Sequence, residues 1–430
     1  MLGILLGLLV LVFLAYKGYN IIWVAPIAAL VVAFFGGLEL FGAYTQTYMK
    51  GLVDFAMSWF PTFLFGAVFG KLMEVTGSAR AVAKMLAHKI GSHRAILAVV
   101  IACSVLTYGG VSLFVVVFAI YPLAIELFHE ADIPKKLLPG AIALGAFTFT
   151  MTALPGSPQL NNLIASRYLG TTTMASPILG IVASAIMLAL GLIWLHCREK
   201  KLKAKGEHFV PAAGDLAAED AERKEHTSHW LFGVLPLVAV VLTLNVLKWP
   251  AVLAIGSGIV LVAVFHLNQW KKFPTALNGG AEGSVQAIMN TSAAVGFGAV
   301  VKVVPGFAAL TTLLLGMDGS LLASEAIAIT LLAGATGSSS GGMTIALEAL
   351  ADKYLEIAQI VGISPEVFHR VATVASGGLD TLPHCGAVIT LLAVCKLTHK
   401  DSYLDIGMLC CVFPLIAVAV IVVLGSFGIV

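Results

Sequence analysis

The sequence predicts an all-α membrane protein that crosses the bilayer many times, and three observations support this fold class. Of the 430 residues, 59% are hydrophobic and only 11% are charged, whereas about 25% are charged in ordinary soluble domains. The mean hydropathy is +0.98. Nearly uncharged runs, among them 174–195 and 405–429, are long enough to cross the bilayer as helices, which takes roughly 20 residues.

The composition also narrows the classes of function. The formal net charge is only +2 and the basic residues lie in short loops between apolar runs, so nothing indicates a nucleic-acid partner. The six cysteines lack metal-site spacing and are interpreted as small buried hydrophobic residues, so neither a metal nor a cofactor is expected. The N-terminal segment MLGILLGLLVLVFLAYKG has no basic n-region and is predicted to be a retained first helix.

A polar segment at 198–229 divides the chain into two apolar halves, 1–197 and 230–430. Its mixed charge and its Gly, Pro and Ala content predict a solvated cytoplasmic linker. The first half contains GGVSLF, DIPKK and TALPG, and the second contains GGMTIA, GISPE and DTLPH in the same order at similar spacing. Three matches in one order predict an internal repeat.

Each half is predicted to hold about five spans, one of them broken, and one re-entrant hairpin. The hairpins are predicted at about 95–128 and 320–351, and the broken helices at about 137–162 and 366–394. The unbroken spans are predicted at roughly 2–16, 20–38, 54–76, 174–196, 230–247, 250–266, 284–315 and 405–429. An odd number of spans inverts the second half relative to the first, as in many secondary transporters.

The distribution of basic residues orients this topology in the membrane. Most of the 25 Lys and Arg residues fall on one side, in loops that include 77–94 and the linker. The positive-inside rule makes that side cytoplasmic, so both termini are predicted to lie outside. Arg370 is assigned to the opposite side.

The hairpin tips and helix breaks are the predicted binding site, because irregular backbone at membrane depth is tolerated only within protein or around a water-filled cavity. A restarting helix presents unpaired N–H groups with partial positive charge, which bind anions. None of the four stretches contains Lys or Arg, so a small carboxylate held by helix ends, hydroxyls and amides is the favoured substrate. The predicted binding residues are Gly109, Gly110, Ser112, Gly156, Ser157, Gln159, Asn161, Asn162, Ser338, Ser339, Ser340, Gly341, Gly342 and Thr381.

Asp380 and His384 are the candidate proton-coupling residues. They are spaced i, i+4 at membrane depth and could exchange a proton with a passing anion, or they could cap the helix break.

Gly337 to Gly341 formally matches the G-x-S-x-G nucleophile elbow, which His384 and Asp380 would complete as a triad. The strand–turn–helix context of that motif is missing, so an intramembrane serine hydrolase is a remote alternative and a passive anion channel a nearer one.

Several stretches resemble the gluconate:proton symporter family (GntP). They are FPTFLFGAVFGKLMEVTGSARAVAKMLAHKIGSHRAILAVVIA followed by ADIP, then ATGSSSGGMT, and VGISPEVFHRVATVASGG. The resemblance covers most of the chain and implies the architecture of the ion transporter superfamily, in which scaffold helices dimerise and a transport domain of two hairpins and two broken helices moves as an elevator. It also implies proton-coupled uptake of a sugar acid or similar hydroxy acid across the bacterial inner membrane.

The tips and breaks depart from the gluconate permeases. TYGGVS, LPGSPQLNN and LDTLPHCG replace an acidic and aromatic element, an HPGP-like break and an HVND-like element. This version is similar to the branch linked to short hydroxy acids such as 3-hydroxybutyrate. A small monocarboxylate is therefore the expected substrate, with gluconate second and Na⁺ coupling as an open alternative to H⁺ coupling.

Overall fold

The computed structural model describes residues 2–17, 19–212, 215, 228–307 and 321–430, and all regular secondary structure within these ranges is helical. Five helices there are long and apolar enough to cross a membrane by themselves: Leu40–Val75, Leu113–Glu130, Pro177–Lys203, Leu267–Val303 and His399–Ser426. Shorter apolar helices accompany them. The predicted fold class, an all-α polytopic membrane protein, is confirmed.

The helices of the first half follow the predicted order. They are α1 (Leu2–Tyr16), α2 (Ile21–Phe35), α3 (Leu40–Val75), α4 (Ser78–Ile90), α5 (Ala95–Tyr108), α6 (Leu113–Glu130), α7 (Leu138–Ala146), α8 (Phe149–Thr152), α9 (Leu160–Leu169) and α10 (Pro177–Lys203). The pair α5 and α6 coincides with the first predicted hairpin, and α7 to α9 with the first broken helix. That the hairpin re-enters the membrane rather than crossing it stays a prediction.

The second half contains matching elements. They are α11 (Trp230–Asn245), α12 (Ala251–Phe265), α13 (Phe273–Val303), α14 (Leu321–Thr336), α15 (Ser339–Val361), α16 (Pro365–Ser376), α17 (Gly386–Cys395) and α18 (His399–Ser426). The pair α14 and α15 coincides with the second predicted hairpin, and α16 and α17 with the second broken helix. The inverted relation of the two halves stays a prediction.

Glycines let α3 and α13 pack closely along their length. A Cβ on Gly51 of α3 would lie 2.6 Å from the Ala299 Cβ of α13, and a Cβ on Gly280 of α13 would lie 2.7 Å from the Val68 Cα of α3. Both distances are far below ordinary van der Waals contact. Small residues of this kind allow membrane helices to approach each other closely.

Two hydrophobic cores lie on either side of this pair. Residues of α1 and α2 form the smaller core with α13, where Val32 and Phe297 are almost fully buried. The larger core joins both hairpins and both broken helices. The helices that carry the predicted site are therefore packed together around one core.

Several predicted boundaries were wrong. The segment 77–94 is not a loop, because it contains α4, which buries Ala79 and Val82 on one face; its charges lie on the other face and obscured the helical pattern. The pair Ser78–Ile90 and Ser92–Tyr108 is bent by 99°. The predicted span 54–76 is part of a longer helix, Leu40–Val75, and the predicted span 284–315 overlaps the helix Leu267–Val303. Both helices therefore begin before the predicted spans. Residues 308–320 lie outside the described ranges.

One acidic residue of the predicted linker is buried against the rest of the protein. Helix α10 continues to Lys203, and the side chain of Asp215 is fully buried. The Asp215 carboxylate accepts hydrogen bonds from Tyr121 (2.7 Å), Lys135 (2.5 Å) and Lys396 (3.2 Å). This residue therefore ties the linker to both halves, while residues 213–214 and 216–227 lie outside the described ranges.

Candidate functional site

The first helix break, residues 153–159, lies between α8 and α9. Pro155 and Pro158 have no N–H for a helical ladder, and Gly156 has a φ of +80°, which favours glycine. The side chain of Asn162, in the first turn of α9, donates through Nδ2 to the Ser157 carbonyl oxygen at 3.1 Å. Prolines and glycine thus open the helix, and an asparagine holds the loop in place.

The first hairpin tip, residues 109–112, lies against this break. Gln159 Nε2 donates to the Thr107 carbonyl oxygen at the end of α5, at 2.6 Å. Gly110 has a φ of +98°, and a Cβ on it would lie 3.1 Å from Pro158 Cγ. The structure therefore brings predicted residues of the tip and of the break together.

The neighbouring predicted residues of this tip have different surroundings. A Cβ on Gly109 would lie 2.5 Å from Leu237 Cδ2 of α11, so this glycine allows the tip to approach α11. Ser112 is half-buried and directly precedes α6. A role of either residue in substrate binding stays a prediction.

The second break, residues 377–385, places Asp380 and His384 against the second hairpin tip, residues 337–338. Asp380 is 4% exposed and lies near Ser339, the first residue of α15. The His384 ring lies over Gly337, where a Cβ would be 3.0 Å from His384 Cδ2. Within the described part of the chain, Asp380 Oδ1 and His384 Nε2 have no hydrogen-bond partner, so both atoms can take part in proton exchange.

Thr381 is bound to α18 rather than directed to the second tip. Residues Met408–Val412 form a π-helical turn, in which the Phe413 N–H donates to the Met408 carbonyl. The residue that would donate to the Cys410 carbonyl in a regular α-helix is Pro414, which has no N–H. The Thr381 hydroxyl donates to that carbonyl at 3.2 Å, and its role in substrate binding stays a prediction.

The polar residues of the second tip also stabilise the hairpin itself. Ser338 caps α15 by accepting from the Gly341 N–H at 3.2 Å. Gly342 lies where the two arms touch, because a Cβ there would be 2.2 Å from the Ala333 backbone nitrogen. Substrate contacts of these residues, and of the half-buried Ser340, stay predictions.

The two breaks meet each other at the centre of the larger core. Asn161 Nδ2 donates to Ser376 Oγ, at the end of α16, at 2.7 Å. A Cβ on Gly377 would lie 3.0 Å from Thr152 Cγ2 of α8. The predicted meeting of the two broken helices therefore occurs.

Asn162 is bound by a buried arginine and a buried histidine of α16. Its Oδ1 accepts from Arg370 Nη1 at 3.0 Å and faces His369 Nε2 at 3.1 Å. Because Asn162 Nδ2 points to carbonyl oxygens, Oδ1 must be the acceptor, and His369 therefore carries its proton on Nε2. His369 Nδ1 can then accept from the Thr171 hydroxyl at 2.7 Å.

The guanidinium of Arg370 brings a full positive charge next to the first break. It is completely buried and also donates to the carbonyl oxygens of Ala175, at 2.7 Å, and Thr173, at 3.3 Å. These acceptors and Asn162 are all uncharged. Buried charges are costly unless paired or well hydrogen-bonded. The Glu366 carboxylate, which accepts from the Ser176 N–H at 3.1 Å, offsets part of the guanidinium charge, and the remaining positive charge would stabilise an anion at the first break.

Arg370 and His369 are the main site residues that sequence reasoning missed. The first break lacks Lys and Arg, but α16 of the other half supplies a guanidinium across 208 positions. Arg370, which was predicted to lie on the outer side, is buried within the protein rather than exposed in a loop, and the side of the membrane on which it lies stays a prediction. The available signal was the pair His-Arg within the apolar stretch VFHRVATVA, since ionisable residues at membrane depth are commonly functional.

Broken helices that surround buried polar groups in an apolar helical bundle are typical of secondary transporters. The fold agrees, since it is similar to the crystal structure of the YdaH transporter of Alcanivorax borkumensis, with a TM-score of 0.55, 15% identity and coverage of 88% of both chains. The protein is thus a multi-pass α-helical membrane protein that shares this fold.

Sequence comparison shows which transporter family this is. The model of the GntP family permeases matches residues 1–253. The uncharacterised transporter YxjC of Bacillus subtilis (strain 168) is 40% identical, with 99% of both chains covered. An uncharacterised transporter of Haemophilus influenzae is 26% identical over 74% of this chain and 73% of its own. The chain belongs to the GntP permease family, which confirms the predicted resemblance and makes it a transporter rather than a serine hydrolase.

Proposed function

We propose that the chain is a proton-coupled symporter of a small organic hydroxycarboxylate, with 3-hydroxybutyrate favoured over gluconate. The observation that carries the proposal is the meeting of the two helix breaks beside the buried Arg370 and the incompletely bonded Asp380 and His384. One side of this region favours an anion and the other can bind a proton. A symporter of an acid needs both.

The anion site is proposed at the first break. The N-terminal end of α9 faces it and carries a partial positive charge. Gln159 occupies the N-cap position of α9, but its side chain does not cap the helix. It bonds to the Thr107 carbonyl oxygen of the first hairpin. Arg370 adds its charge and the buried Ser157 adds a hydroxyl, whereas the Ser376 hydroxyl already donates to the Thr373 carbonyl oxygen at 2.6 Å. These few donor groups could bind one carboxylate and one neighbouring hydroxyl of a small substrate.

The proton site is proposed at the second break. Protonation of Asp380 would remove a buried negative charge, which is costly in an apolar surrounding. His384 lies in the same break and could exchange that proton. Proton uptake there would offset the charge of a carboxylate bound at the first break.

The mechanism is proposed to follow from an inverted repeat. The hairpins and broken helices would form the transport domain, while α1 to α3 and α11 to α13 would form the scaffold of a homodimer in the bacterial inner membrane. The linker would be cytoplasmic and both termini would lie outside. Alternating access would then occur by elevator-like movement of the transport domain.

The direct test is uptake of labelled 3-hydroxybutyrate and gluconate into proteoliposomes, driven separately by a pH gradient, by a Na⁺ gradient and by neither. We expect accumulation that is driven by the pH gradient and is faster for 3-hydroxybutyrate. The substitution Asp380→Asn is expected to abolish this accumulation but to retain exchange of internal for external substrate. Asp352→Asn, which alters an exposed carboxyl of α15, serves as the control.

Different outcomes would replace the proposal with specific alternatives. Accumulation driven by Na⁺ and indifferent to pH would make the chain a Na⁺ symporter. Equilibration without accumulation under any gradient would make it a passive anion channel. Full coupling in the Asp380→Asn variant would remove this residue from the proton site.

A further inference from the structure

A second carboxyl is buried in the transport region, on the first arm of the second hairpin. Glu325 lies near the start of α14, and its side chain is 0% exposed. Within the described part of the chain, neither of its carboxyl oxygens has a hydrogen-bond partner. It lies eleven residues before the end of α14, or about 16 Å along a helix at 1.5 Å per residue, so it does not belong to the second break.

The surroundings of Glu325 offer no positive charge. Leu322 lies one turn before Glu325, and it meets α16 and α18 at Gly425. A Cβ on Gly425 of α18 would lie 2.6 Å from Val367 Cγ1 of α16 and 3.1 Å from Leu322 Cδ1. The part of α18 from Phe413 onwards contains no ionisable residue. The neighbouring elements therefore present an apolar surface to this carboxyl.

The ionisable residues of the other packed helices point elsewhere, with one exception. On α16, His369 and Arg370 bond towards α9 and the segment before α10. On α15 the acidic and basic side chains are exposed. The exception is Tyr354 of α15, whose hydroxyl is bonded to Ser324 at 3.2 Å and which interacts with Glu325 electrostatically. A phenol cannot compensate the charge of a carboxylate.

We infer that Glu325 binds and releases a coupled proton during the transport cycle, in addition to the Asp380–His384 site. An ionised carboxylate without partners is strongly disfavoured in an apolar interior, so Glu325 holds a proton in this conformation. It can ionise only where the hairpin arm meets water or a cation. Release of its proton to water is therefore linked to movement of the hairpin, and uptake of a proton permits its return to the buried position.

This inference rests on the proposed symport, and it makes the second hairpin a proton carrier as well as a gate. The tip of the same hairpin lies against the second break, which contains Asp380, since a Cβ on Gly337 would be 3.0 Å from His384 Cδ2. Movement of the arm and opening of the tip would therefore change the surroundings of two carboxyls together. Neither a capping role nor ordinary packing requires a carboxyl at position 325.

The test compares two transport modes in Glu325→Gln and Glu325→Met, reconstituted in proteoliposomes with labelled 3-hydroxybutyrate. Both variants keep the approximate size of the side chain but cannot release a proton. We expect accumulation driven by the pH gradient to fall at least tenfold, and exchange at equal pH to stay within twofold of the wild type. The control is Glu348→Gln on the second arm of the same hairpin, a residue that is 42% exposed and bonded to Lys302.

The readouts separate this inference from the proposed function. Failure of the symport proposal would appear in the wild type, as absence of accumulation driven by a pH gradient. Failure of the Glu325 assignment would appear only in the variants, against an active wild type. Retained accumulation in either variant, or a parallel loss of accumulation and exchange in both, would overturn it, because a structural residue affects both modes alike.

Discussion

Replacing Gly342 with alanine tests whether the second hairpin depends on direct contact between its arms. A Cβ at this position would lie 2.2 Å from the Ala333 nitrogen, 2.3 Å from its Cα and 2.5 Å from the Leu332 carbonyl carbon. Ordinary contact begins at 3.4 Å, and all three atoms belong to the backbone. The arms must therefore separate by about 1 Å, because no flexible side chain can move aside.

The expected magnitude combines two opposing effects. Overpacking of a tight interior typically costs about 1–3 kcal/mol, whereas alanine is better than glycine in a helix interior by roughly 1 kcal/mol. We therefore expect Gly342→Ala to lower the free energy of unfolding by up to about 2 kcal/mol, and by about 1–3 kcal/mol relative to a variant that gains the helix propensity without the clash. For a chain of this size this corresponds to a fall in melting temperature of a few degrees.

The assay is thermal unfolding of the purified protein in detergent, followed by uptake measurements in proteoliposomes. Gly283→Ala is the matched control, since Gly283 lies in α13 and a Cβ there meets nothing within 4 Å. The control gains the helix propensity without the clash, so its melting temperature should equal or exceed that of the wild type. Equal melting temperatures for the two variants would refute the claimed contact between the arms.

Two further predictions concern buried polar residues. Asn162→Ala removes the acceptor of Arg370 Nη1 and His369 Nε2, so it should destabilise the protein by about 2–4 kcal/mol and abolish uptake. The control Asn278→Ala alters an exposed residue and should leave the melting temperature unchanged. An unchanged melting temperature for Asn162→Ala would contradict the prediction. Burial raises the pKa of Asp215, but the bonds from Lys135 and Tyr121 outweigh it and hold the pKa below its usual value. Its stabilisation is therefore complete above the ordinary Asp pKa and is lost as the pH falls through the folded value. Asp215→Asn should melt below the wild type at pH 7, and the gap should close below about pH 4; a constant gap down to pH 3 would count against this ion cluster.

The fold was predictable where the signal is local in the chain. Proline and glycine occur together with polar residues inside two apolar runs, so the breaks around Pro155 and Pro383 could be located from sequence. The apolar runs between them have the length of membrane helices. Helix α4 was missed for a related reason: its exposed face carries charges, and charge in a membrane protein is readily assigned to a loop.

The interactions within the site were not predictable, because they join distant positions. Asn162 and Arg370 are 208 residues apart, and Lys135 and Asp215 are 80 apart. Residue type shows that such groups need partners, but only the packing of helices decides which partners they find. Glu325 shows the same limit, since one glutamate in an apolar helix gives no sequence signal for its isolation.

The π-helical turn of α18 makes the second break sensitive to chain length at one position. The turn Met408–Val412 holds one residue more than a regular helical turn would need. Deletion of a single residue there would restore the regular ladder and leave residues 413–426 facing much as they do now. The carbonyl that Thr381 binds would then shift, so a one-residue gap at this point in a relative should coincide with a changed residue at the position of Thr381.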